Sequence, residues 1–210
     1  MPIRILLADD HQMVRQGLRA ILEQEGFKIV GEASNGHEAA RLAQELTPDI
    51  AVLDLAMPLM NGIGAAKAIS QVSAPTKVVV LTMHTEAQYI LEALRAGIRG
   101  YVLKTRAASE LVQAIREVSR GSTFLSSDIS DTVVDAYLNK VDVPNDSLSP
   151  RELQVLQLVA EGKTTKEVAA LLNISVKTAE SHRTRIMEKL DVHETASLVR
   201  YAIRRGLVQP

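Results

Sequence analysis

The sequence predicts two folded parts: an α/β domain with a doubly wound, five-stranded parallel sheet, then a small all-α helix-turn-helix domain. Three observations lead there. Apolar, β-rich runs recur through the first 125 residues, with amphipathic segments of helical period between them. The runs are continuously apolar rather than alternating, as expected for strands buried on both faces of a parallel sheet. Beyond a polar stretch around Pro144, every remaining signal is helical.

Strands are expected at Ile3–Ala8, Phe27–Val30, Ile50–Leu55, Val78–Thr82 and Tyr101–Leu103. Helices are expected around Met13–Leu22, His37–Leu46, Ile63–Val72, Ala87–Leu94 and Leu111–Val118. This alternation makes βαβ units, whose crossovers place helices on both sheet faces. Gly97 reads as a helix stop, and Gly36 and Gly62 as loop residues where helices begin. Asp128–Tyr137 is expected to form a short amphipathic helix, and Lys140–Asp146, polar and interrupted by Pro144, a linker. In the tail, Ser149-Pro150-Arg151-Glu152 and Thr164-Thr165-Lys166-Glu167 are capping boxes that open two helices. Gly162 ends the first of these, and Asn173-Ile174-Ser175 makes a tight turn before a helix over Val176–Leu190. A last helix runs from about Glu194 to Arg205 and stops at Gly206. A short helix, a tight turn and a longer basic helix form a helix-turn-helix. The division is therefore residues 1–125, a joint over 126–146, and 147–210.

Composition narrows the possible functions. A chain of 210 residues with 46% hydrophobic and 23% charged residues folds rather than staying disordered. The absence of cysteine excludes disulfides, thiolate catalysis and Cys-ligated zinc or iron–sulfur centres. No apolar run approaches the ~18 residues of a membrane span, and the N-terminus lacks the marks of a signal peptide. A soluble, cytoplasmic protein without a membrane partner is expected. Net charge is 0 over residues 1–125, −4 over 126–146 and +3 over 147–210, so the tail is the part suited to a polyanion.

All strand C-termini of a parallel sheet point to one edge, where α/β proteins bind ligands. That edge receives Asp9 and Asp10 after the first strand, Asp54 at the third, Thr82 after the fourth and Lys104 after the fifth. Singly, each is an ordinary cap or surface residue; together they form a site. Three converging carboxylates repel one another and suit Mg²⁺, which takes a few carboxylates together with phosphate oxygens. Lys104 supplies a positive charge and Thr82 a hydroxyl for a phosphoryl oxygen. A phosphatase built this way needs a second acid two residues after its nucleophile, and Ala56 stands there. The set therefore suits acceptance of a phosphoryl group followed by slow release, a switch rather than a turnover enzyme.

Asp9-Asp10, Asp54 followed by Met57-Pro58, Thr82, Tyr101 and Lys104 resemble the receiver domain of bacterial two-component response regulators. The tail, from Leu148-Ser149-Pro150-Arg151-Glu152 through Ile174-Ser175 to Lys189-Leu190, is similar to the LuxR-type helix-turn-helix. Together they resemble the NarL/FixJ class over essentially the whole chain. The resemblance implies that Asp54 is phosphorylated by a histidine kinase to 4-aspartylphosphate. It makes Asp10, Asp54 and the Ala56 carbonyl the Mg²⁺ ligands, with Asp9 acting mainly through water. Lys104 would pair with the phosphoryl group, Thr82 would move to hydrogen-bond it, and Tyr101 would turn inward as a switch. Four positions depart from the pattern or tune it. Thr105 replaces a common proline, Asn61 stands where an acid is frequent, and Ala56 and His84 flank the phosphoryl position.

On the last helix-turn-helix helix, Val176, Ala179, Ile186, Met187 and Leu190 form the apolar side. The opposite face fits the major groove of a double-stranded DNA operator. By the resemblance, Glu180, Ser181 and Thr184 face bases, whereas Lys177, Thr178, Arg183, Arg185 and Lys189 contact phosphates. His182 is expected to pack or to hydrogen-bond rather than to ligate a metal. Glu180 is suited to accept from a cytosine amino group. Leu198, Val199, Ala202 and Ile203 on the final helix either fill the small core or make a two-fold contact between tails. Gly162-Lys163-Thr164 imitates the end of a P-loop, but Gln157 stands at the required glycine and the segment follows a helix. The leading expectation is a phosphorylation-controlled transcription regulator that forms a homodimer when phosphorylated. A DNA-binding protein with an unmodified receiver scaffold and a metal-dependent phosphohydrolase are the alternatives.

Overall fold

The computed structural model describes residues 1–83, 85, 87–138, 148–205 and 207–208. His84, Gly206 and the core of the expected linker, Lys140–Asp146, lie outside the described residues. The chain divides into two units, Met1–Val143 and Pro144–Pro210.

In the first unit, β1 (Arg4–Ala8), β2 (Lys28–Ala33), β3 (Ile50–Asp54), β4 (Lys77–Thr82), β5 (Gly100–Leu103) and β6 (Phe124–Leu125) form one parallel sheet. Their order is β2-β1-β3-β4-β5-β6. The helices between them are α1 (Gln12–Gln24), α2 (Gly36–Leu46), α3 (Gly62–Val72), α4 (Ala87–Arg95) and α5 (Ala107–Ser119), with α6 (Ser127–Leu138) following β6. The apolar strand runs split cleanly by parity, because successive side chains point to opposite faces. Leu6, Ala8, Ala51, Leu53, Val80 and Tyr101 join the core under α2, α3 and α4. Ile5, Leu7, Ile50, Val52, Val79 and Val102 join the core under α1 and α5. Burial on both faces is why these strands are apolar throughout.

Two features differ from expectation. The sheet has six strands rather than five. β6 is only two residues long, too short for any periodicity, yet it extends the ladder through Phe124 N–H to the Arg99 carbonyl (2.9 Å) and Ser126 N–H to that of Tyr101 (3.0 Å). The amphipathic segment expected in the joint is α6, which packs on α4 as part of the first unit. Ile129 is fully buried in the same core as Tyr101 and Ile90, with Val133 against it. Arg106 holds the Asp128 carboxylate at 3.1–3.2 Å, and the buried Ser126 hydroxyl bridges Leu103 N–H and the Glu110 carboxylate.

The second unit is α7 (Pro150–Ala160), α8 (Thr165–Leu171), α9 (Val176–Leu190) and α10 (Thr195–Arg204). Both expected capping boxes are formed, at Ser149/Glu152 and Thr164/Glu167, and Ser175 caps α9. Asn173 takes a left-handed φ of 52° between α8 and α9, a conformation asparagine tolerates well. α7 packs on α9 and α10, burying Val155, Leu156, Ile186, Leu198 and Ala202. No helix among the described residues is long and apolar enough to cross a membrane.

Truncating Ile129 to Ala removes a fully buried side chain, so the first unit should lose about 2–4 kcal/mol. Urea unfolding of the full chain measures this, and an unchanged midpoint would mean that α6 is not part of that core.

Candidate functional site

The C-terminal edge of the sheet gathers the expected acids. β1 ends at Ala8 and delivers Asp9 and Asp10; β3 ends on Asp54 itself. β4 ends on Thr82, one residue beyond Leu81, the neighbour of Asp54 in the ladder. Lys104 opens the short 3-10 turn Lys104–Arg106 that follows β5. Asp9 and Asp54 are only 1% and 2% exposed, whereas Asp10 lies at the surface.

A single ammonium joins the two buried acids. Lys104 Nζ donates to Asp9 Oδ2 at 2.8 Å and forms an ion pair with Asp54 Oδ2 at 2.9 Å. Asp9 is fixed further, since its Oδ1 accepts the His11 N–H (2.8 Å) and its carbonyl accepts from Arg15 (2.6 Å). Asp54 Oδ2 is shielded from water yet accepts no well-aligned hydrogen bond. Burial raises the Asp54 carboxyl above its ordinary value and Asp9 adds to the shift; Lys104 and the Ala56 N–H oppose it without cancelling it. Burial pushes the Lys104 ammonium down, but Asp54 and Asp9 outweigh this and raise it.

Ligand atoms of Asp9, Asp10, His11 and Asp54 lie within 4.8 Å of one another. His11 was not selected from sequence; the signal was its place directly after two acids at a strand end. Gly62 also has a role that sequence reading gave only to the loop. A Cβ there would stand 2.4 Å from the Asp54 carbonyl oxygen, so its lack of a side chain lets α3 start against the Asp54 backbone. Asn61, noted as standing where an acid is frequent, caps α3 by accepting the Gly64 N–H at 2.8 Å. Thr82 is 1% exposed, and Tyr101 is fully buried on the α2–α4 side of the sheet.

In the second unit, α9 buries Ala179 and Ile186 and exposes Lys177, Thr178, Glu180, Ser181, Thr184 and Arg185. Val176, assigned to the apolar side, is 40% exposed. Ser181 Oγ donates back to the Lys177 carbonyl (3.0 Å), and the Thr178 hydroxyl meets Ser175 Oγ at 2.8 Å. Two of the expected phosphate contacts are engaged within the unit: Arg183 donates to Thr195 Oγ1, and Lys189 donates to Glu152 Oε2 at 2.7 Å. Leu198 and Ala202 fill the core, while Val199 and Ile203 are half-buried.

The residues 5–116 match the family model described as the response regulator receiver domain, and residues 146–202 that of bacterial regulatory proteins, luxR family. The chain belongs to the response regulators. It is 43% identical to the transcriptional regulatory protein LiaR of Bacillus subtilis (strain 168), over 98% of this chain and 99% of that protein. It is 38% identical to the response regulator UvrY of Escherichia coli (strain K12), over 98% and 95%. Among solved structures it resembles RcsB of Salmonella enterica serovar Typhimurium bound to a promoter in the presence of phosphomimetic BeF3-. That match has 30% identity, 96% and 98% coverage and a TM-score of 0.66. The two expected parts of the regulator, receiver-type sheet and LuxR-type helices, are therefore both present.

Glu152 shows how the LuxR-type unit is held. It is 4% exposed and serves both as the reciprocal cap of α7, accepting the Ser149 N–H at 2.6 Å, and as the anchor of Lys189 in the last turn of α9. Burial pushes its carboxyl up, but Lys189 and Ser149 outweigh this and hold it down at about 2. Because the shift is downward, the stability from ionised Glu152 is complete above the unfolded value near 4.5 and disappears as pH falls through about 2.

Glu152→Gln should raise the unfolding equilibrium constant by about tenfold or more at pH 7. The gap from wild type should close between about pH 4.5 and 2 in urea titrations; a gap independent of pH would contradict the linkage. Gly62→Ala should destabilise the receiver unit by about 1–3 kcal/mol through overpacking on the Asp54 carbonyl, measured by thermal unfolding.

Proposed function

We propose that Asp54 is the phosphoacceptor of this response regulator, and that its modification controls binding of operator DNA by α9. The observation that carries the reading is the buried Asp54 carboxylate, tied to Lys104 but with Oδ2 lacking a directed hydrogen bond, at the sheet edge of a chain that also bears a LuxR-type helix-turn-helix.

The donor set fits Mg²⁺: hard carboxylate oxygens of Asp10 and Asp54, the Ala56 carbonyl, and Asp9 through water, with the under-bonded Asp54 oxygen among them. When bound, the cation offsets the charge of the carboxylates and of the incoming phosphoryl oxygens. An Asp54 oxygen attacks the phosphorus of a histidine kinase phosphohistidine; the P–O bond forms as the donor's P–N bond breaks, leaving neutral imidazole. Lys104 compensates the added negative charge, moving from a carboxylate partner to a phosphoryl oxygen. Ala56 cannot act as an acid or base, so hydrolysis of the aspartyl phosphate is slow and the protein self-modifies without turning over a substrate.

The signal then passes through Thr82, which approaches the phosphoryl group, and Tyr101, whose ring occupies the buried side of β5. Phosphorylation favours a homodimer in the cytoplasm, and two copies of α9 meet two operator half-sites. Glu180, Ser181 and Thr184 read bases; Lys177, Thr178 and Arg185 bind phosphates. Arg183 and Lys189 contribute by holding α9 to α10 and α7 as well as by their charge. The domain limits proposed are 1–125 for the receiver and 147–210 for DNA binding, with 126–146 joining them and its α6 packed on the receiver.

A DNA sequence selected by the full-length protein, treated with Mg²⁺ and beryllofluoride, provides the probe. Activation should tighten binding by about tenfold or more in fluorescence anisotropy, and Asp54→Asn should abolish the gain. Equal activation of wild type and variant would remove Asp54 from the mechanism.

A further inference from the structure

The imidazole beside the acidic cluster is not used by the mechanism above. His11 is the residue immediately before α1, its carbonyl accepts the Arg15 N–H at 3.1 Å, and its side chain makes no capping bond. Its Nδ1 instead faces the cluster, 2.8 Å from Asp10 Oδ1 and 3.4 Å from Asp9 Oδ1, while the side chain stays 58% exposed. The four ligand atoms of Asp9, Asp10, His11 and Asp54 are mutually within 4.8 Å. Bonds of roughly 2.0–2.2 Å to a six-coordinate ion put neighbouring ligands about 3 Å apart and opposite ones a little over 4 Å apart. The 4.8 Å bound exceeds the opposite-ligand distance by a few tenths of an ångström, a gap that side-chain rotation on binding closes. The inner wall of the site, Asp9 and Asp54, is buried, and Asp10 with His11 forms its outer wall.

We propose that His11 supplies an imidazole nitrogen to the cation site and shifts its selectivity from Mg²⁺ toward first-row transition-metal ions. The inference rests on the reading of Asp10 and Asp54 as cation ligands. Oxygen donors alone suit Mg²⁺, which keeps its remaining positions for water and phosphate oxygens. A nitrogen donor adds little to Mg²⁺ but strengthens Mn²⁺, Co²⁺, Ni²⁺ and Cu²⁺ in ascending order, and Zn²⁺ less than Cu²⁺. The receiver site is then loaded at lower concentrations of those ions than a purely oxygen-lined edge requires. Neutral His11 gives up its contact with Asp10 to do so, presenting the Nδ1 lone pair to the ion that both residues face.

The test uses the full-length protein and two probes, MgCl₂ and NiCl₂, titrated calorimetrically into wild type, His11→Ala and Asp54→Asn. His11 is exposed and caps nothing through its side chain, so its replacement leaves the fold intact. His11→Ala should weaken Ni²⁺ by about tenfold or more and leave Mg²⁺ within about twofold. Cu²⁺ loaded into the same proteins adds a direct readout, since nitrogen hyperfine splitting in its electron paramagnetic resonance spectrum should lose one contributor in His11→Ala. Unchanged Ni²⁺ affinity and an unchanged Cu²⁺ spectrum in His11→Ala would overturn the proposal, as would equal losses of Mg²⁺ and Ni²⁺. Indifference of both ions to Asp54→Asn is a different result: it removes the cation site itself, and the proposal with it.

Discussion

Charge burial at the C-terminal sheet edge constrains much of the receiver. Asp9 and Asp54 are almost wholly removed from water, and each would be costly there alone. Lys104 meets both, reaching from the far side of the sheet because the strand order places β1, β3, β4 and β5 in sequence across the edge. The compensation is incomplete. Asp54 stays above its ordinary carboxyl value and one of its oxygens lacks a directed partner, so the resting edge is a poor place for negative charge. A site with that imbalance gains from any cation that enters and responds sharply to any group that changes its charge.

The rest of the unit serves to keep those groups within reach of one another. Strand side chains pack by parity into two cores, fixing the sheet and hence where each strand ends. Gly62 lets α3 begin against the backbone of Asp54, and Asn61 closes that turn with a cap. On the other side of β5, Ser126 ties Leu103 to Glu110 and Ile129 enters the core that contains Tyr101. The segment that leads out of the receiver is therefore anchored on the strand that carries Tyr101. A shift in β5 has a direct mechanical route into α6.

Strand ends, helix caps and the acidic edge were readable because each has a short-range chemical cause. Five continuous apolar runs specify five doubly covered strands, and two S/T-x-x-E boxes specify two helix starts. Asp9, Asp10, Asp54, Thr82 and Lys104 followed from topology alone once the strands were placed. What escaped has long-range causes. β6 is too short to show a period, and α6 was read as part of a joint because amphipathicity does not say which surface a helix meets. Glu152 was legible as a cap, yet its bond to Lys189 spans 37 residues and exists only after α7 and α9 pack. Lys189 was consequently read only as a phosphate contact, although the fold also gives it an internal carboxylate partner. His11 carried no assignment from sequence, and only the folded edge brings its ring to the acids.

The brief final strand has a consequence for behaviour in concentrated solution. An open parallel sheet leaves a row of unpaired amides and carbonyls at each margin, which another chain can use as a template. Here one margin tapers to two residues and the chain then turns into a helix lying against its neighbour, while the other carries Lys28 and Glu32. Neither rim offers a long, flat, apolar stretch. A chain with rims of this kind is thereby protected from sticking to its own copies by strand exchange.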